Sequence, residues 1–245
     1  MSLLTGASVR SMPAVGELLD FSAALADVAR SWRSEPEMTG LLAAVVRDAT
    51  IIVPGVRRAS IAVRTSKRTI DVTARTDGVI AAADDLQNEL RQGPSLDAAV
   101  QHDAFRTGTL QADDRWPSFG PRAAELGLHS MLALPLYVVG LRLGALTLAS
   151  DREAAFDDWA EQLGQLFAAH AAVAVDACRR QQQLGEALSA RDVIGQAKGI
   201  ITHRNRVSPA QAFAMLVGMS QDTNLKLREV AEFVVEHAER SAHGA

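Results

Sequence analysis

Apolar residues at helical spacing predict two helices near the start of the chain. The first series is Val15, Leu18, Leu19, Ser22, Leu25, Val28 and Trp32, and the second is Leu41, Leu42, Val45, Val46 and Ala49. Pro36 separates them, because proline disfavours helix at the preceding residue and suits the first turn of the next helix. Pro54-Gly55 ends the second helix.

The pattern then changes to the alternation that is typical of β-strands. Ala59, Ile61 and Val63 form one alternating series, and Ile70, Val72 and Ala74 form another after a polar hairpin turn at 65–68. A short helix is expected at 84–91, ended by Gly93-Pro94, and two apolar strands at 130–138 and 141–150 meet at Gly140. We predict an α+β domain with a mainly antiparallel sheet flanked by helices.

From Phe156 to residue 203 the chain reads as one long helix. Two interleaved seven-residue series run through Trp159, Leu163, Leu166, Val173, Ala177, Leu184, Ala187 and Ile194. This spacing is typical of a coiled coil, so we expect a homodimer through the N-terminal and long helices. His170, Arg180 and Arg191 interrupt the series, which leaves packing against the rest of the chain as the alternative.

The C-terminal part predicts two further helices. Ser208-Pro209-Ala210-Gln211 places a hydroxyl at the N-cap, proline at the first helical position and glutamine at the third. The first helix should bury Ala212, Phe213, Leu216 and Met219 and end in the polar stretch 220–224. The second should pack through Leu227, Val230, Ala231, Val234 and Ala238. With the end of the long helix they form a small all-α three-helix bundle.

Motifs in this bundle resemble those of the ANTAR domain. Residues 191–201 read RDVIGQAKGII, residues 209–213 read PAQAF with Leu216 after them, Met219-Ser220 follows, and residues 226–231 read KLREVA. The ordered combination is far more selective than any single motif. We place an ANTAR domain at 179–240, with the long helix 156–203 shared with the domain before it.

The preceding part resembles a GAF domain. Residues 92–96 read QGPSL, residues 113–117 read DDRWP, residues 126–128 read LGL, and the two apolar strands contain LPL and LGALTL. We place this domain, with its N-terminal helix, at 13–178. The resemblance implies a sensor that takes a small-molecule or protein ligand.

Together the two resemblances imply a transcription antitermination regulator of the actinobacterial type. In such regulators a dimer of ANTAR domains binds paired RNA stem-loops, stabilises an antiterminator and lets polymerase pass an intrinsic terminator, under control of the GAF domain. The candidate RNA-binding residues are Arg191, Gln196, Ala197, Lys198, Gly199, Arg204, Ser220, Asn224, Lys226 and Arg228. Cations and hydrogen-bonding groups of this kind suit the phosphates and splayed bases of hairpin loops.

Most of these assignments have a structural alternative, and Lys198 could be a surface charge without an RNA contact. Ala197 and Gly199 could serve tight helix packing, and Ser220 and Asn224 could be turn and cap residues. Arg228 could pair with Glu232 four residues later. Arg204, expected in a loop, could be a solvated charge.

The charges are divided unevenly along the chain. Residues 1–178 carry 16 Lys+Arg and 22 Asp+Glu, whereas residues 179–245 carry 9 and 7. The C-terminal part is thus the end that suits a nucleic acid, although only weakly. A DNA-binding transcription factor is one alternative, but four glutamates on the last helix, at 229, 232, 236 and 239, would repel phosphates in a major groove. A metabolite- or partner-binding scaffold without nucleic acid is the other.

The sensor part offers little specific chemistry. Arg106, Trp116, Phe119 and His129 are candidates for a ligand pocket, with core or loop packing as the alternative. We expect no metal or other cofactor, since Cys178 is the single cysteine and His102 and His129 have no further donors in a ligand-like spacing.

An enzyme is not expected, because no nucleophile elbow, phosphate-binding glycine loop or zinc-protease motif occurs. The carboxylate pairs at 84–85, 113–114 and 157–158 are interpreted as caps and solvated turns. No apolar stretch is long enough for a membrane span, so we expect a cytoplasmic protein.

Overall fold

The structure, a computed structural model, describes residues 15–35, 37–64 and 70–243. The chain divides into two compact units, Met1–Cys178 and Arg179–Ala245. Pro36 and the hairpin turn expected at 65–68 lie outside the described residues. Within them, no helix is both long and apolar enough to cross a lipid bilayer.

In the described part of the first unit there are five α-helices and the start of a sixth. These are α1 (Val15–Trp32), α2 (Met38–Ile52), α3 (Gly78–Leu90), α4 (Pro94–Gln101), α5 (Phe119–Glu125) and α6 (Asp158–Asn205). Its strands are β1 (Arg58–Arg64), β2 (Ile70–Arg75), β3 (Phe105–Thr107), β4 (Ser130–Val138) and β5 (Leu141–Ser150). The strands β4 and β5 have the bounds that the apolar pattern predicts.

The five strands form one antiparallel sheet in the order β2-β1-β5-β4-β3. In the register of β1 with β5, Ser60 lies opposite Thr147. Their side chains therefore point to the same face of the sheet. The predicted α+β class with an antiparallel sheet is confirmed.

Helices cover both faces of this sheet. On one face α1, α2 and α6 bury a large apolar core, in which Trp32 packs edge-on against Phe167 with ring centroids 5.3 Å apart. The indole Nε1 of Trp32 donates to Asp48 Oδ2 over 2.9 Å, so its polar atom is satisfied inside the core. On the other face α3, α4 and α5 pack over a smaller core that includes Trp116 and Phe119.

Two helix boundaries differ from the sequence prediction on this second face. The helix expected at 84–91 begins at Gly78, because Asp77 Oδ1 accepts hydrogen bonds from the amides of Val79 and Ile80 and caps it. Gly93-Pro94 was expected only to end a helix. It also begins α4, with Pro94 in the first turn, where a missing N–H costs nothing.

The long helix α6 spans residues 158–205 instead of 156–203. The carboxylate of Asp157 accepts the Ala160 amide over 2.8 Å at its start. At its end the helix includes Arg204, which the sequence placed in a loop, and Arg206 then takes a left-handed conformation with φ 53°. The predicted single long helix is otherwise confirmed.

The second unit is a bundle of the end of α6 with α7 (Pro209–Thr223) and α8 (Leu227–His243). Its buried residues are Ala197, Ile201, Ala212, Leu216, Val230 and Ala231. The predicted capping box is present, since Ser208 Oγ accepts the Gln211 amide and Gln211 Oε1 accepts the Ser208 amide. Phe213 and Met219, expected to be buried, are exposed.

Candidate functional site

Arg191 and Lys198 lie on one side of α6 within the second unit. They are seven residues apart, which is close to two full turns of an α-helix. Arg191 is exposed and Lys198 is half-buried. Among the residues that the structure describes, neither side chain has an ion pair or hydrogen bond. Both charges are thus available to an anion from outside the chain.

The residues around Lys198 are divided between surface and core. Gln196 is exposed but lies two residues before Lys198, which places it on the opposite side of the helix. Ala197 is fully buried among the bundle residues, so its side chain packs the core and is not part of an RNA-facing surface. Gly199 is exposed, and an added Cβ would meet no atom within 4 Å, so packing within the chain does not require glycine there.

Ser220 and Asn224 build the turn between α7 and α8. The hydroxyl of Ser220 donates to the carbonyl oxygen of Leu225 over 2.6 Å. Asn224 is the C-cap of α7 with φ 55°, a left-handed conformation that asparagine tolerates better than most residues. The structural alternative therefore accounts for the Ser220 hydroxyl and the Asn224 backbone, while the Asn224 side chain stays exposed.

The remaining candidate cations differ in their partners. Arg228 Nε donates to Glu232 Oε1 over 2.7 Å, as its i,i+4 spacing predicts, so its charge is already compensated. Lys226 and Arg204 are exposed, and no ion pair is seen for either in the described part of the chain. Uncompensated cations neutralise phosphates more effectively than paired ones.

Charge is unevenly distributed inside the second unit as well. Residues 179–224, which include the end of α6 and all of α7, carry six Lys+Arg against three Asp+Glu. The helix α8 carries two Lys+Arg against four Asp+Glu. A polyanion is therefore attracted to the α6 and α7 segments and repelled by α8.

Five polar side chains form a buried cluster in the first unit, between the sheet and the helices α3 and α4. The cluster consists of Ser60, Asp84, Gln87, Ser95 and Thr147, each of which is buried. Ser60 Oγ donates to Asp84 Oδ1 over 3.1 Å, Gln87 Nε2 donates to Ser95 Oγ over 3.0 Å, and the Ser95 and Thr147 hydroxyls share a hydrogen bond of 2.6 Å. The surroundings are otherwise apolar and rich in alanine.

Asp84 is the unusual member of this polar cluster. Its burial raises the pKa to about 7, against the smaller lowering effects of the Ser60 hydrogen bond and the Arg75 charge. Its Oδ2 is buried and has no hydrogen-bond donor among the described residues. The interpretation of Asp84 as a cap or solvated turn residue is wrong, because its side chain is buried. Asp84 lies four residues after Ile80 in α3, which places both on the same, buried side of the helix. This spacing indicates the burial of Asp84 only when the helix is known to begin at Gly78.

Both units match known domain families. The GAF domain family matches residues 35–176, more than half of the chain, and the ANTAR domain family matches residues 182–235. The chain belongs to the GAF-ANTAR regulators. ANTAR domains bind RNA, and GAF domains bind small-molecule ligands in general. No curated protein matches the sequence.

Solved structures share the fold of the GAF unit at low sequence identity. The GAF domain of a phosphoenolpyruvate-protein phosphotransferase from Coxiella burnetii has a TM-score of 0.51 at 14% identity, covering 67% of this chain and 98% of its own. Free methionine-R-sulfoxide reductase from Neisseria meningitidis, solved with its substrate, has a TM-score of 0.52 at 14% identity, and the match covers 71% of this chain and 98% of the reductase. The Stigmatella aurantiaca phytochrome photosensory core module has a TM-score of 0.60 at 13% identity, and the match covers 86% of this chain and 46% of the phytochrome module.

The four expected pocket residues of the GAF unit do not form one wall. Trp116 and Phe119 are fully buried in the core, where Trp116 Nε1 donates to Asp97 Oδ2 over 2.7 Å. Arg106 instead pairs with two carboxylates of α6, Asp158 at 2.7 Å and Glu161 at 3.3 Å. His129 is half-buried. For Trp116 and Phe119 the structure thus agrees with core packing, the alternative to a place in the pocket wall.

Asp113, of the carboxylate pair at 113–114, has a structural role in the GAF unit. The Arg115 side chain donates to both Asp113 carboxylate oxygens, which lowers the pKa of Asp113 to about 2. The guanidinium of Arg115 lies over the Trp116 ring at 4.4 Å from its centroid. No group of three His, Cys, Asp or Glu side chains is placed to hold a metal in the described ranges.

Proposed function

We propose that this GAF-ANTAR regulator binds paired RNA stem-loops through its ANTAR unit and acts in transcription antitermination. The observation that supports this most is the pair of uncompensated cations, Arg191 and Lys198, on one side of α6 inside the matched ANTAR segment. Phosphate contacts of this kind supply most of the affinity for a nucleic acid. A signal at the GAF unit controls the activity.

The charge distribution favours RNA hairpins over duplex DNA. A recognition helix in a major groove would have to be basic along the surface that faces the phosphates. The last helix of the bundle, α8, is acidic, and its two arginines, Arg228 and Arg240, are paired with Glu232 and Glu236. Hairpin loops need no such helix, because their phosphates and splayed bases are reached from outside.

The regulator acts as a homodimer in this proposal. Residues 179–189 of α6 are exposed on every side, and a helix without tertiary packing is only marginally stable in water. Leu184 and Leu188 are 63% and 54% exposed on neighbouring turns of this segment. A second copy of α6 would cover these leucines, stabilise the helix and bring two ANTAR units to the two stem-loops.

Control passes along α6 in this account, because the same helix begins in the GAF unit and ends in the ANTAR unit. A two-residue insertion after Gly185 would rotate the following turns by about 200°, whereas a seven-residue insertion changes the direction by about 20°. We expect the first insertion to weaken binding to paired hairpins much more than the second. Equal binding by both insertion variants would contradict the coupling.

The proposal is tested by fluorescence anisotropy with a dual-hairpin RNA, a scrambled hairpin and duplex DNA at fixed salt. We expect selective binding of the dual hairpin by the wild type and at least a fivefold loss in Lys198→Ala. Arg240→Ala is the matched control, since Arg240 is already paired with Glu236 and lies outside the matched segment. Preference for duplex DNA would indicate a transcription factor, and no preference would indicate a sensor scaffold.

A further inference from the structure

Phe213 is exposed although its helical spacing suggests a core residue. It follows the fully buried Ala212 on α7, yet 44% of its surface is open to solvent. Residues 179–245 contain only two of the large aromatic residues, Phe213 and Phe233, and both are exposed. A large part of each phenylalanine's apolar surface is therefore in contact with water.

The side of α7 that carries Phe213 is free of charge. Val217 and Ser220 follow Phe213 at spacings of four and three residues, which places them along the same side of the helix, and Asn224 is the C-cap that ends it. The single charged residue of α7 is Asp222, two residues after Ser220 and therefore directed away from this side. The helix α7 therefore adds no charge beside Phe213 that would repel a phosphate, and the exposed Asn224 amide lies at its C-terminal end.

We propose that Phe213 is a stacking platform for an unpaired base of the RNA loop. The inference rests on the proposed function and names the chemistry of its ligand, a splayed nucleobase. Unpaired loop bases leave the helical stack and place their ring faces on aromatic side chains. Every base has such a face, so this contact contributes affinity while tolerating many sequences.

Phe233 has the same ring but a different setting. It is 60% exposed on α8 and stacks on His237, with ring centroids 6.2 Å apart and planes 11° apart. Glu229 and Glu236 lie four residues before and three after it, on the same side of α8. A nucleotide on Phe233 would bring its phosphate close to these carboxylates, so Phe233 serves as the matched control.

A stacking contact and a phosphate contact respond differently to salt. Stacking releases no counterions, so Phe213→Ala should weaken binding by the same factor at every salt concentration. Lys198→Ala should instead lower the slope of log affinity against log salt by about 1. This difference separates the role of Phe213 from that of the cations.

The test uses the full-length protein and a dual-hairpin RNA with 2-aminopurine at successive loop positions. We expect about tenfold weaker binding for Phe213→Ala and Phe213→Leu, with loss of the 2-aminopurine quenching that the wild type gives at one loop position. Phe213→Trp should retain both the affinity and the quenching, and Phe233→Ala should bind like the wild type. Thermal unfolding of each variant shows that the fold is kept.

Three results would overturn the inference while leaving the proposed function intact. The first is wild-type RNA affinity in Phe213→Leu, and the second is a loss of RNA affinity in Phe233→Ala equal to that in Phe213→Ala. The third is a loss of self-association by Phe213→Leu in the absence of RNA, which would assign the ring to a protein contact. Failure of the wild-type protein to prefer the dual hairpin would instead overturn the proposed function, and the inference with it.

Discussion

Ser60 of β1 donates a hydrogen bond to the Asp84 carboxylate of α3 over 3.1 Å, deep between the sheet and its helical cover. This bond reaches only Oδ1, while the buried Oδ2 has no donor among the described residues. Arg75 of β2 acts on Asp84 through its charge, and Asp85 on the same helix opposes it. The ionised form of Asp84 is therefore poorly compensated inside the GAF unit.

We predict that the Asp84 carboxyl makes the GAF unit less stable at neutral pH and above than at about pH 4. Its pKa is about 7 in the folded chain and 3.8 ordinarily, so the folded state holds the proton more tightly. Stability should fall as pH rises from about 4 to about 7 and then level off. At pH 8, Asp84→Asn should raise the free energy of unfolding by about 1–3 kcal/mol, because it removes the poorly compensated buried charge. The gain is smaller than the full pKa difference implies, because the buried amide N–H groups would lack acceptors.

The measurement is urea unfolding of the wild type and Asp84→Asn between pH 4 and pH 8. Glu125→Gln is the control, because Glu125 is exposed at the end of α5 and is not among the groups that shift the pKa of Asp84. A stability difference for Asp84→Asn that does not change with pH would contradict the prediction.

The capping box of α7 gives a second prediction, in the ANTAR unit. Ser208→Ala removes the acceptor for the Gln211 amide and should lower the free energy of unfolding by about 1 kcal/mol. Ser208→Asp keeps an acceptor at the N-cap and should cost little. Thermal unfolding of the two variants tests this, and equal melting temperatures would show that the cap contributes no stability.

The exposed leucines of α6 give a third prediction. Leu184→Glu together with Leu188→Glu should shift the protein from dimer to monomer, because like charges would replace the apolar contact between two copies. Gln182→Glu, on the same exposed segment, is the control for added charge alone. Sedimentation equilibrium measures the change, and an unaltered molar mass in the double variant would exclude this segment from the dimer contact.

The parts of the fold that local patterns determine could be predicted from the sequence. The bounds of β4 and β5 follow from their apolar runs, and α7 begins where Ser208 and Pro209 place its cap and first turn. The start of α3 was missed because Asp77 caps a glycine, which is an uncommon first helical residue.

The candidate site was less predictable, because it depends on tertiary packing. Ala197 and Lys198 are adjacent in sequence, yet one is in the core and the other is not. Phe213 has a core-like spacing, and only the packing of the bundle shows that its ring is exposed. The burial of Asp84 could not be predicted without the extent of α3.

The central claim is tested most directly by transcription in vitro through an intrinsic terminator preceded by paired hairpins. We expect the wild-type regulator, in the presence of its activating signal or at high concentration, to raise read-through several-fold. Lys198→Ala should lose this effect and Arg240→Ala should keep it. Read-through that is unchanged by the wild-type protein, although the same RNA is bound, would contradict antitermination as the function.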